Sequence, residues 1–101
     1  MLSKVITSED APKAIGPYSQ AIKLGDFVYL SGQIGMDLNN DIVEGGIKAE
    51  TLQIVENIVA ILSEMNLELR HIVKTTVYLK DMNLFDDFNE IYATYFAHPY
   101  P

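Results

Sequence analysis

The sequence predicts an α+β domain: a small antiparallel sheet with two helices packed on one face. Three observations predict it. An apolar-rich run from Ser19 to Ser31 is broken only by Gly25-Asp26, a good two-residue hairpin turn because glycine accepts the positive φ required. The stretch from Ile47 to Leu67 repeats apolar residues at helical spacing. Ile72 to Leu79 is rich in β-branched residues, and a second amphipathic stretch follows it.

In chain order, Val5-Ile6 is a short apolar start, read as an edge strand. Asp10 to Pro17 holds two prolines and a glycine and reads as an irregular, extended loop. Ser19–Leu24 and Phe27–Ser31 are the hairpin strands. Gly35 to Gly46 is a polar connection, with its turn at Asn39-Asn40-Asp41. In the first helix, Val55, Ile58, Leu62 and Met65 form the stripe, widened by Leu52, Ile54, Val59 and Ile61. Glu50, Gln53, Asn57, Ala60 and Glu64 fall on the opposite face, and Asn66 is the expected stop. Ile72–Leu79 reads as a strand whose Val73, Thr75, Val77 and Leu79 face is apolar. Asp81 or Asn83 caps the second helix, with Asp86 and Asp87 in its first turn, where the dipole favours acids. Its stripe is Leu84, Phe88, Ile91, Tyr92 and Tyr95, and His98-Pro99-Tyr100-Pro101 ends it. The order is strand, hairpin, helix, strand, helix, which leaves a sheet of three or four strands with an open edge.

The chain's 101 residues make one domain, and 49% hydrophobic residues suffice for a core. The net charge of −7 disfavours phosphate backbones, and the six lysines and Arg70 are scattered. There is no cysteine, hence no thiol nucleophile. No apolar signal core or membrane-length segment occurs, so a cytoplasmic protein with no membrane partner is expected.

Two short motifs flank the hairpin: Gly16-Pro17-Tyr18-Ser19-Gln20 and Ser31-Gly32-Gln33-Ile34-Gly35. Each sets a glycine beside a hydroxyl, and the turn can bring Tyr18 and Ser31 to one sheet edge. That arrangement suits a small-molecule pocket. Other candidates have simpler readings. His71 and His98 are too far apart for a zinc cluster. Asp86, Asp87 and Glu90 could form an acid–base pair, but helix-start electrostatics explains the aspartates. Tyr92, Tyr95, Phe96 and Tyr100 fit core and subunit contact better than base stacking in an acidic chain.

Four segments at consistent spacing resemble the reactive-intermediate deaminase (RidA, or YjgF) family. They are Ala14-Ile15-Gly16-Pro17-Tyr18-Ser19-Gln20, Ser31-Gly32-Gln33-Ile34, Ile72-Val73-Lys74-Thr75-Thr76-Val77-Tyr78 and Phe88-Asn89-Glu90-Ile91-Tyr92. The resemblance runs from about Ser3 to Pro101. It implies a chorismate mutase-like subunit in a homotrimer with an inner barrel and clefts between subunits. It also implies hydrolysis of enamines and imines, such as 2-aminoacrylate and 2-aminocrotonate, to 2-keto acids and ammonia without metal or organic cofactor. Tyr18 matches the family's cleft tyrosine. Ser31 and Gly32 match a substrate-contacting strand end, and Asn89 an asparagine facing the cleft.

In the family pattern, Ala-Arg-Ser follows the final proline. Its arginine clamps the substrate carboxylate, and a later glutamate positions water. Neither lies within residues 1–101, whose one arginine is Arg70 at the start of the predicted central strand. The expectation is a chain lacking the family's C-terminal strands, with weak or absent deamination by residues 1–101 alone. Two competing functions stand beside the deaminase. One is an endoribonuclease or translation inhibitor, opposed by the charge. The other is a non-catalytic trimeric module that holds small ligands or a partner protein.

Overall fold

The computed structural model describes residues 2–101. Its sheet has three antiparallel strands in sequence order: β1 (Ser3–Ile6), β2 (Ala21–Leu24) and β3 (Phe27–Leu30). Leu24 pairs with Phe27 across Gly25-Asp26, and Gly25 has φ +60° while Asp26 stays out of the positive-φ region. That is the pattern of a type II′ turn, and it sets the register Ile6–Ala21–Leu30 and Val5–Ile22–Tyr29. Side chains alternate across a strand, so Ile6, Ala21, Val28 and Leu30 share one face.

Helix α1 (Gly46–Ser63) covers that face. Ile61 is fully buried and forms the core with Ile6, Ala11 and Ala21, while Ala60, Met65, Val28 and Leu30 pack around them. The helix stops at Ser63 rather than Leu67, and Asn66 takes φ +56° as the expected stop. There Leu67 N–H donates to Leu62 O at 3.0 Å and Asn66 N–H to Ser63 O at 3.2 Å, the Schellman pairing that satisfies the last carbonyls.

Helix α2 (Phe85–Tyr95) packs beside α1. A 3-10 turn, Met82–Leu84, precedes it, with Asp81 accepting from Asn83 N–H at 2.9 Å. Asp86 and Asp87 occupy the first turn of α2 as expected. Lys48 near the start of α1 bonds Glu90 at 2.8 Å and approaches Asp87 at 4.0 Å. The Glu90 hydrogen bond and charge hold the Lys48 ammonium above its ordinary pKa, with Asp87 adding to the effect. Phe88, Tyr92 and Phe96 form an aromatic column, with centroids 5.4 and 4.4 Å apart.

Two expectations are corrected. Ile72–Leu79 is not a strand: it follows a 3-10 turn at Leu69–His71 and has no ladder partner among the described residues. β-branched composition favours an extended chain, but a strand exists only where a neighbour supplies hydrogen bonds. Val73 is 85% exposed, so its face is not buried, and the segment is tied to α2 through Thr75 Oγ1 and Tyr92 Oη at 2.8 Å. The second correction lies in α1. Asn57 and Ala60 belong to the inward side, whereas Val59 is exposed. Asn57 tolerates burial because its amide is fully bonded, and alanine admits close approach of helix to sheet.

The Ile61 side chain contacts no solvent, so Ile61→Ala leaves a cavity. Equilibrium urea unfolding should show a stability loss of about 2–5 kcal/mol with an unchanged slope.

Candidate functional site

Antiparallel pairing carries β2 backward and β3 forward to the same end of the sheet. There Ser31 N–H donates to Gln20 O at 3.0 Å, extending the ladder past Ala21 and Leu30. Ser31 Oγ–H donates to Ser19 O at 2.5 Å. The two hairpin motifs therefore meet, as their spacing predicts.

Tyr18 immediately precedes this junction and is 50% exposed. Its N–H donates to Gly16 O at 2.9 Å, and its hydroxyl accepts from Ile15 N–H at 3.2 Å. The ring thus folds back over its own loop while one face stays open. Gly32 is exposed, and a Cβ built on it would meet nothing within 4 Å. The space above the Ser31-Gly32 backbone is open to a flat ligand or a second chain.

Donor and acceptor roles follow from these bonds. Ser31 has committed its only proton to Ser19 O, so its oxygen retains only acceptor capacity. Tyr18 accepts from Ile15 N–H and keeps its proton for donation. Tyr18 therefore has a proton to donate and Ser31 an oxygen to accept with.

Two buried carboxamides hold this end in shape. Gln20, 4% exposed, accepts from Ser8 N–H at 2.6 Å and donates to Ser8 O at 3.1 Å and Pro12 O at 2.9 Å. It pins the loop before Tyr18 onto the start of β2. Asn57, 2% exposed, donates to Ile34 O at 3.3 Å and Met36 O at 2.9 Å and accepts from Gln53 Nε2 at 2.9 Å. It pins the loop after Gly32 onto α1. Gly35 assists, since a Cβ there would lie 2.6 Å from Glu50 Cβ and 2.7 Å from its Cα. Gln20 stands inside the first motif, but its burial was not signalled by sequence. Asn57 was misplaced because a lone amide on an amphipathic helix reads as solvent-facing.

Asn89 is half-buried on α2, and among the described residues no hydrogen bond joins it to Tyr18, Ser31 or Gly32. Within one chain the site is a wall, not an enclosed cleft. A groove of about 520 Å³ runs instead along α1, and one of about 120 Å³ lies by Arg70 and Phe96, and neither includes the Tyr18–Ser31 end. Arg70 lies in the 3-10 turn and bonds Glu68 at 2.8 Å, and this pairing holds the Glu68 carboxyl below its ordinary pKa. No three metal-ligating side chains gather among the described residues.

Comparison with known proteins follows the same residues. Residues 8–101 match the family described as endoribonuclease L-PSP. A RutC family protein of Pyrococcus abyssi is 51% identical over 102 aligned residues, covering 100% of this chain and 80% of the relative. The mouse protein named 2-iminobutanoate/2-iminopropanoate deaminase is 44% identical, covering 100% of this chain and 76% of its own length. The crystal structure of RidA from the Antarctic bacterium Psychrobacter superposes with a TM-score of 0.92 at 40% identity, covering 97% of this chain and 80% of that one.

Asn57→Leu strips the Ile34 and Met36 carbonyls of their buried partner. We expect a loss of about 1–3 kcal/mol in urea unfolding, and faster amide exchange at Val43, whose N–H donates to Gly35 O within the same loop system.

Proposed function

The chain belongs to the RidA family, and from that premise we propose that it hydrolyses short 2-imino acids and their enamine tautomers to 2-keto acids and ammonia. The observation that carries this reading is the junction of Ser31 with Ser19 and Gln20, with Tyr18 next in the chain and the Gly32 backbone open, in a chain whose relatives include a named imine deaminase.

Water adds to the C2 carbon of the imine, and the C=N π pair moves to nitrogen. A proton passes from the added oxygen to that nitrogen. The carbinolamine hydroxyl then gives its remaining proton to the nitrogen, the C–N bond pair leaves with that nitrogen and the O–H pair forms the carbonyl, so one water is consumed and one ammonia leaves. Ser31 Oγ accepts from the substrate N–H and orients the nitrogen. Tyr18 Oη donates its free proton toward the developing charge. The bare Gly32 backbone lets the planar substrate lie close.

The second wall comes from another copy. Opposite the α1-covered face, Val5, Leu24, Phe27 and Tyr29 are exposed, with Phe27 66% and Tyr29 63% accessible. A contiguous apolar sheet face of this kind gains by association. We assign it to a homotrimer interior, with Asn89 joining the cleft across the subunit boundary. An acidic chain without a basic stripe gives an RNA backbone no footprint, so the endoribonuclease name is not carried over.

A coupled assay tests the chemistry. A dehydratase generates the imine from threonine, and release of 2-oxobutanoate is followed. Added protein should speed release, and Tyr18→Phe or Ser31→Ala should each lower kcat/KM roughly tenfold or more. Acceleration by residues 1–101 would replace the expectation of weak or absent deamination by this stretch alone, and no acceleration overturns the proposal. Light scattering should give three times the single-chain mass. Tyr29→Lys, which sets a charge in the apolar face, should yield monomer and abolish activity together.

A further inference from the structure

The groove along α1 belongs to none of the chemistry above. It is lined by Leu52, Val59 and Tyr95, with Asp10, Glu56 and Glu64 at its rim. Leu52, Glu56, Val59 and Ser63 recur at three- and four-residue intervals, so they share one stripe of α1. Lys48 meets the first half of α2 while Tyr95 ends it, so the helices run in the same sense and Tyr95 walls the groove further along. From Leu52 to Glu64 the helix rises about 18 Å, enough to lie beside about twelve residues of a second helix.

Charge and hydropathy name the occupant. Val59 and Tyr95 are exposed, although an isolated helix surface would carry polar residues there. No lysine or arginine lines the groove, and among the described residues none of its three carboxylates forms an ion pair. The basic residues that do pair are engaged elsewhere, Lys48 with Glu90 and Arg70 with Glu68. An apolar floor between unneutralised acids complements a helix that is apolar on one face and cationic on its flanks. The groove lies on the helical layer, opposite the Phe27–Tyr29 sheet face, so closure of subunits through that face leaves it open.

We propose that the α1 groove is a docking site for a basic amphipathic helix of a partner protein. The inference stands apart from the imine chemistry, because it uses no residue of the Tyr18–Ser31 end.

The test titrates the full chain into a fluorescein-labelled, amidated peptide of about 14 residues, with leucine at i, i+3, i+4 and i+7 spacing and lysine elsewhere. Fluorescence anisotropy reads binding. Expected are saturable binding to the unsubstituted chain and an affinity about tenfold weaker for the Glu56→Lys/Glu64→Lys variant. The variant Asp26→Lys/Asp41→Lys, with the same change of net charge far from the groove, should shift affinity less than about twofold. Circular dichroism confirms that both variants are folded, and Val59→Ser supplies a milder second probe that should also weaken binding. Equal weakening by both double variants would reduce the effect to bulk charge and overturn the proposal. Equal binding of a scrambled peptide of the same composition would overturn it too. If Val59→Ser instead lowers the mass of the assembly, the occupant is a second copy and the proposal fails.

Discussion

Full satisfaction of two buried carboxamides is the constraint on which this molecule depends. A buried amide without partners costs several times what a bonded one contributes. Gln20 and Asn57 therefore do more than fill space, because each dictates the path of a loop. Gln20 forces the backbone at Ser8 and Pro12 to turn its polar groups inward. Asn57 forces the carbonyls of Ile34 and Met36 toward α1. Tyr18 lies two residues before the first anchor, and Ser31-Gly32 just before the second loop. The strand end that carries Ser31 is thus held from both sides by bonds that satisfy the core. No buried side-chain polar atom among the described residues is left without a partner.

This arrangement explains what was legible in the sequence. Local chemistry was legible: a Gly-Asp turn fixes register, register brings Ser31 onto Ser19 and Gln20, and asparagine stops a helix by accepting positive φ. The hairpin, the first helix and the existence of the second follow from such rules, but the expected cap does not: Asp81 caps the 3-10 turn Met82–Leu84, and α2 begins after Leu84 with no side-chain cap. The role of Asn57 was not legible, because hydropathy periodicity counts an amide as outward-facing and is blind to partners 21 and 23 residues away. Long-range polar pairing is set by tertiary path, which no local window contains.

The segment Ile72–Leu79 makes the complementary point. Its composition is that of a strand, and the inference from β-branched residues was physically sound. Strand formation also requires a hydrogen-bonding neighbour, and β3 does not pair with this segment. What holds it is side-chain chemistry instead. The Tyr92 hydroxyl donates its single proton to Pro101 O at 3.0 Å, so it must accept from Thr75. Tyr92 also sits between Phe88 and Phe96 in the aromatic column. One residue on α2 therefore fastens the extended segment, the chain's last described residue and the helix's own core, although it reads in sequence as one more apolar position.

The exposed apolar surface is divided by chemistry as well as by place. On the sheet, Val5, Leu24, Phe27 and Tyr29 form a face whose aligned register offers no charge within it. Such a face discriminates poorly among apolar partners and suits repeated, symmetric burial. On α1, Val59 and Tyr95 lie among carboxylates, and any partner must bring opposite charge to avoid leaving Glu56 and Glu64 desolvated and unpaired. The same hydrophobic driving force thus acts on both faces, but only the helical one selects its partner by sign of charge. A chain with an excess of seven negative charges cannot supply that sign from scattered lysines, so copies of itself are poor occupants of the groove and a basic partner is the better match.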